Sequence, residues 1–136
     1  MGMYTELFIA TRINADAPDA PEADVIKILK YMIGEGPEPA HLPAHRLFNK
    51  PRWSGMLRQA SYYFVPTTVH KLEWDSIGNY WSFITFSNFK NYDGEIDAFI
   101  DWLGQYVELD GGRQMIGYHR YEEEDEPTII YLGEEA

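Results

Sequence analysis

Tyr80-Trp81-Ser82-Phe83-Ile84-Thr85-Phe86-Ser87 alternates along its length: Trp81 and Phe83 fall on one side, Tyr80, Ser82, Ile84 and Phe86 on the other. A period of two belongs to a β-strand, and bulky groups on both sides predict a central one. Working back from it, Asp75-Ser76-Ile77-Gly78-Asn79 is a turn and residues 69–74 a partner strand, so the two form a hairpin. Ser61-Tyr62-Tyr63-Phe64-Val65-Pro66 predicts a further strand, which extends the hairpin to a three-stranded meander. Residues 35–51 hold five prolines and glycines spread along their length and predict a long, partly extended loop, the kind of segment that is usually functional or mobile.

The first helix lies upstream of that loop. Val25, Ile28, Leu29, Met32 and Ile33 make an i, i+3, i+4, i+7, i+8 stripe, with Lys27 and Lys30 facing away. Asp19 followed by Glu22 predicts a capping box, Pro21 is tolerated in the first turn, and Gly34 ends the helix. Residues 14–21, NADAPDAP, are a polar turn. In residues 3–13, Met3, Leu7, Ile9 and Ile13 alternate with Tyr4, Glu6, Ala10 and Arg12, which predicts a half-buried strand. Downstream, a second helix begins near residues 91–93. Asp93, Glu95 and Asp97 suit its positive end, Ile96, Phe99, Ile100 and Leu103 form its apolar stripe, and Trp102 and Tyr106 form a ridge beside it. After the break at Gly111-Gly112, residues 114–121 and 128–132 predict a final hairpin, with Pro127 at the start of the last strand, where a lost N–H is tolerated. The order β-α-β-β-β-α-β-β over residues 1–136 predicts one α+β domain, an antiparallel sheet of about five to six strands with two amphipathic helices packed on one face.

The 136 residues include no cysteine, which excludes disulfides and thiolate chemistry and fits a reducing compartment. The start, MGMYTELFIATR, has neither the basic opening nor the apolar run of a signal peptide, and Glu6 stands where a myristoylation signal wants Ser or Thr. No stretch approaches the ~18 apolar residues of a membrane span. A cytoplasmic protein is the expectation.

The net charge of −11 opposes non-specific binding to nucleic acid or anionic membranes. Its distribution is uneven. Residues 39–72 hold five basic side chains (Arg46, Lys50, Arg52, Arg58 and Lys71) and no acids, whereas residues 73–136 hold three basic and 15 acidic ones. The basic, aromatic stretch is the first candidate site: Arg46, Lys50, Arg52, Trp53, Arg58 and Tyr62 have the chemistry to take phosphate charge and stack a planar base. The competing reading is that Phe48, Trp53 and Leu57 pin the loop to the core and its cations are solvated.

The acidic run Glu122, Glu123, Glu124, Asp125 and Glu126 is the second candidate, a surface for a basic partner, set against an ordinary solvated turn; it lacks the rhythm of a calcium loop. His41 and His45 have a metal-ligand spacing, but Pro43 between them argues against a helix and no further ligand is apparent, so no metal is expected. Asp97 and Asp101 stand one turn apart and read as solvent-facing, and His119 reads as a sheet histidine. Trp74, Trp81, Trp102, Tyr106 and Tyr118 serve either a tight aromatic core or a partner or oligomer surface. No hydrolase, zinc, P-loop or dinucleotide motif is present, and no cofactor is expected.

The phrases MYTELFIA, PEADVIKILKYMIG, SNFKNYDGEIDAFIDWL and YHRYEEEDEPTIIYL, in that order, resemble a family of small uncharacterised proteins encoded by bacteriophages and prophages, most specifically over residues 87–96 and 120–131. The resemblance implies a role inside the infected cell, where accessory phage proteins commonly inhibit or sequester a host component. It carries over no functional residue. The combined expectation is a phage-encoded, non-enzymatic binding protein that inhibits or sequesters a host protein, defence proteins included, or a small anionic ligand. The alternatives are a small enzyme acting on nucleotides without a recognisable motif, and a structural or assembly module that forms a homo-oligomer.

Overall fold

The computed structural model describes residues 3–109 and 111–133. The Met1-Gly2 start, on which the myristoylation argument bears, lies outside the described residues. Five strands, β1 (Thr5–Ile13), β2 (Val69–Asp75), β3 (Tyr80–Phe89), β4 (Gln114–Tyr121) and β5 (Thr128–Leu132), and two helices, α1 (Asp24–Met32) and α2 (Glu95–Leu103), occur in the order β-α-β-β-α-β-β. The sheet is antiparallel throughout, in the order β2-β3-β1-β4-β5. The α+β class and the two-helix, one-sheet architecture are as expected.

Alternation along the strands decides what is buried. Leu7, Ile9 and Ile13 of β1 and Trp81, Phe83 and Phe89 of β3 join one core with Val25, Ile28, Leu29 and Met32 of α1 and Ile96, Phe99, Trp102 and Leu103 of α2. Trp81 and Trp102 are thus core side chains. Among the described residues, no helix packs on the opposite face of the sheet. β4 reaches the middle of the sheet through a bulge between Met115 and Gly117. A Cβ on Gly117 would stand 1.9 Å from the Phe8 carbonyl oxygen, so only glycine allows β1 and β4 to approach there.

Three local expectations need correction. Residues 61–66 form no strand. Tyr62 is 94% exposed, Pro66 has no N–H to give, and the β3 edge that a strand would need is already used, because Asn88 N donates to the Gln59 carbonyl (3.0 Å) and Asn88 Nδ2 to the Val65 carbonyl (3.2 Å). The meander is therefore a two-stranded hairpin. Second, α1 starts at Asp24, with Ala23 in the cap position and no side-chain cap; Glu22 pairs instead with Lys30 on the helix surface. Gly34 does end this helix, in the left-handed conformation at φ 82°. Third, α2 starts at Glu95, later than residues 91–93, and Asn91 caps it from a distance by accepting from Ile96 N (2.9 Å).

Residues 45–58 form a wedge on the helical side. Two short 3-10 turns, Arg46–Asn49 and Met56–Arg58, turn Leu47, Met56 and Leu57 fully inward. Each such burial stabilises by about 1.5–3 kcal/mol. Phe48 packs edge-on against Trp102 of α2 (5.5 Å between centroids) and against Trp53 (4.9 Å), and Trp53 in turn meets Tyr31 of α1 (5.9 Å). The wedge joins the two helices.

Candidate functional site

Four of the five cations of the basic segment have partners, and the Lys50 side chain has none among the described residues. Arg46 Nε lies 3.6 Å from Asp101, which His45 Nε2 also approaches at 3.1 Å. Arg52 Nη1 pairs with Asp93 at 2.9 Å, and its guanidinium lies over the Tyr92 ring at 4.9 Å. Arg58 donates to the Ser54 carbonyl and lies over Tyr31. Lys71 pairs with Glu73. The anchor of this arrangement is Glu95, whose side chain is fully buried. Its two oxygens accept from Asp93 N (3.0 Å) and Arg52 N (3.2 Å), with Arg52 Nη1 a further 3.8 Å away. What the sequence suggests is a dipole partner is a clamp between the wedge and α2.

Glu95 and Asp101 of α2, with Asp93 just ahead of it, thus neutralise Arg46 and Arg52 within the fold. Arg46 and Arg52 are strung along that helix, since Glu95 and Asp101 lie about 9 Å apart on its axis. Arg58 instead faces Tyr31 of α1. Of the six candidate residues, Trp53 packs in the wedge and Tyr62 alone lines a cavity described below.

The register of the sheet assembles a different site. Thr5 pairs with both Phe89 and Tyr121, so the start of β1 and the ends of β3 and β4 meet at one end of the sheet. The acidic turn, residues 122–126, grows from that end. Tyr4 N donates to Glu122 Oε2 (2.9 Å), Glu122 N donates to the Tyr4 carbonyl (3.0 Å), and Tyr121 N donates to Glu124 Oε1 (2.9 Å). Among the described residues, the exposed carboxylates of Glu123, Asp125 and Glu126 have no hydrogen-bond or ion-pair partner.

Tyrosines surround this turn. Tyr63 stands 6.2 Å from Tyr4, which Lys90 covers at 5.8 Å. The Tyr121 hydroxyl donates to Met3 Sδ, and Met3 N donates to the Tyr92 hydroxyl. Partial burial, then the carboxylates of Glu123 and Glu122, then the neighbouring Tyr92 and Tyr63 hold the Tyr121 phenol above its ordinary pKa. Two cavities open on either side of the β1 start. One, about 470 Å³, is lined by Tyr4, Ala60, Ser61, Tyr62 and Tyr63. The other, about 380 Å³, is lined by residues including Tyr92, His119, Tyr121 and Glu124. Tyr62, Tyr63 and Tyr92 are 94%, 65% and 51% exposed.

Two stretches far apart in the chain, Tyr62-Tyr63 and the acidic run, are therefore both anchored at the start of β1, through Tyr4. Tyr4, Lys90, Tyr92 and Tyr121 escape notice in the sequence because each is a single residue at the end of a different element. Only the pairing of β1 with both β3 and β4 reveals them. Asp97 is exposed on α2, and Asp101 is engaged by His45 and Arg46. Among the described residues, no group of three or more His, Cys, Asp or Glu side chains is placed to hold a metal ion, and no helix is long and apolar enough to cross a membrane. The chain matches no protein-family model, no curated protein and no solved structure.

Proposed function

We propose that the chain is a non-enzymatic binding protein, phage-encoded as its sequence resemblance implies, that inhibits a basic host protein by occupying its cationic surface. The supporting observation is that Tyr63, near the Tyr4 ring, Tyr62, beside Tyr4 in one cavity, and Tyr92, bonded to Met3, stand at the sheet end from which the acidic turn grows, and that the exposed carboxylates of Glu123, Asp125 and Glu126 on that turn have no partner among the described residues. Tyrosine offers a large contact area with few rotors to freeze, a phenol to hydrogen-bond and a ring face that attracts arginine. Carboxylates beside it steer a basic partner and fix its register. The net charge of −11 favours the same class of partner and repels nucleic acid. The sequestering alternative relies on Arg46, Lys50, Arg52, Arg58 and Tyr62, of which Arg46, Arg52 and Arg58 would have to leave the partners they hold within the fold.

The test is calorimetric titration with a synthetic oligo-arginine peptide at moderate salt. Two variants, Tyr62→Ala/Tyr63→Ala and Glu123→Gln/Asp125→Asn/Glu126→Gln, lose binding by at least about tenfold. A control with the same change in charge, Asp19→Asn/Glu38→Gln/Asp97→Asn, binds as the parent does. Equal losses in the acid variant and its control would mean that overall charge, and not this surface, does the binding.

A further inference from the structure

The helix-free face of the sheet carries a straight row of side chains, one from each strand. The register runs Val69 to Phe86, Phe86 to Phe8, Phe8 to Tyr118 and Tyr118 to Ile129. All five are apolar or aromatic and none is buried; Val69 is 52% and Ile129 38% exposed. A second row beside it runs from Lys71 through Ile84 to Ala10 and, past the bulge, holds Met115 opposite Tyr131, both open to solvent. An antiparallel sheet that faces water on one side ordinarily shows polar residues there. This one shows a continuous apolar belt across all five strands, which on a monomer marks an interface.

We infer that this face packs against the same face of a second copy, giving a twofold dimer in which two sheets lie face to face. The charges on the face choose that occupant. Two of its carboxylates are paired, Glu6 with Arg120 at 3.1 Å and Glu73 with Lys71 at 3.5 Å, and that of Asp75 at the end of β2 accepts from Ile77 N and Gly78 N. Arg12 lies over Tyr80 and Arg113 over Tyr131 at its rim. On a protein of net charge −11, two copies meet here without setting unmatched acids against each other, whereas the acidic turn and α2 would repel. The shape also fits, because twisted sheets pack at about 10 Å with their strands some 30° apart, and an isologous contact needs a self-complementary patch. Five strands at ~4.8 Å and two rows at ~6.8 Å span roughly 330 Å² per copy, and the flanking polar row of Glu73, Ser82 and Arg12 brings the face to roughly 500 Å². Two copies then bury about 1,000 Å², the size of a weak, concentration-dependent interface. The inference does not rest on the function proposed above.

Sedimentation equilibrium of the whole chain between about 1 and about 200 µM is the test, since a dimer with a micromolar constant changes mass across that window. The expected mass is that of two chains, and Ile84→Asp at the centre and Ile129→Asp at the margin each raise the dissociation constant by at least about 100-fold with unchanged circular dichroism. Ile129, already 38% exposed, carries the test should Ile84→Asp not fold. A parent chain that stays at the mass of one copy at the highest concentration overturns the inference. So does a folded Ile129→Asp that dimerises as the parent does, which would put the contact on a sheet edge instead.

Discussion

Residues 45–58 and the sheet end around Tyr4, Tyr62 and Tyr121 are both rich in aromatic and charged groups, and the fold uses them in opposite ways. In the first region the aromatics interlock, from Trp102 through Phe48 and Trp53 to Tyr31, and Arg46 and Arg52 are matched by acids at α2. In the second the rings of Tyr62 and Tyr63 project and three carboxylates have no partner. A charged, aromatic stretch is thus equally able to be an internal brace or a recognition surface. What separates the two is whether the opposite charge is supplied by the fold itself.

The comparison is sharpened most by removing the clamp. Glu95→Ala leaves two backbone N–H groups and Arg52 without their buried acceptor, and stability falls by about 2–4 kcal/mol in urea denaturation. Peptide binding at the sheet end is unchanged at temperatures where the variant is folded. The double variant Tyr62→Ala/Tyr63→Ala reverses the pattern: stability stays within about 0.5 kcal/mol of the parent, and binding of the oligo-arginine probe weakens by about 10- to 100-fold. Arg46→Ala lowers stability by less than about 1 kcal/mol, since its pair with Asp101 is exposed, and leaves binding unaltered. If Arg46→Ala abolished binding while Tyr62→Ala/Tyr63→Ala did not, the roles of the two regions would be exchanged.

The smallest effect concerns pH. Burial, then the hydrogen bond to Glu6 and the charge of that carboxylate, push the Tyr118 phenol up to about 12. An unfolded tyrosine loses its proton near pH 10, so the folded state alone keeps it between about 10 and about 12. The stability this proton contributes is whole below pH 10 and is lost as the pH rises through the folded value. Tyr118→Phe has no such proton, and its thermal melting temperature declines less steeply over that window than the parent's.

Much of this fold is legible in the sequence. The alternation of residues 80–87, the stripes of Val25 to Ile33 and Ile96 to Leu103, and the final hairpin each depend on local spacing, which the chain obeys. The failures have local causes too. Ser61-Tyr62-Tyr63-Phe64-Val65-Pro66 has the β propensity of a strand but no free strand edge to join, and Asp19 with Glu22 has the letters of a capping box four residues too early. The functional site is a different matter. Arg52 and Tyr62 stand close in the chain, yet one is consumed by Asp93 and Glu95 and the other is left in solvent, and no residue count distinguishes them. Pairing between β1, β3 and β4 is non-local, and it is that pairing which gathers Tyr4, Tyr92 and Tyr121 around the acidic turn.

Amide hydrogen exchange with and without the bound oligo-arginine peptide puts the two regions in one experiment. Slowed exchange at residues 61–65, 91–93 and 121–126, with residues 45–58 unchanged, is the predicted outcome. Protection centred on residues 45–58, or spread evenly over every acidic stretch of the chain, would contradict it.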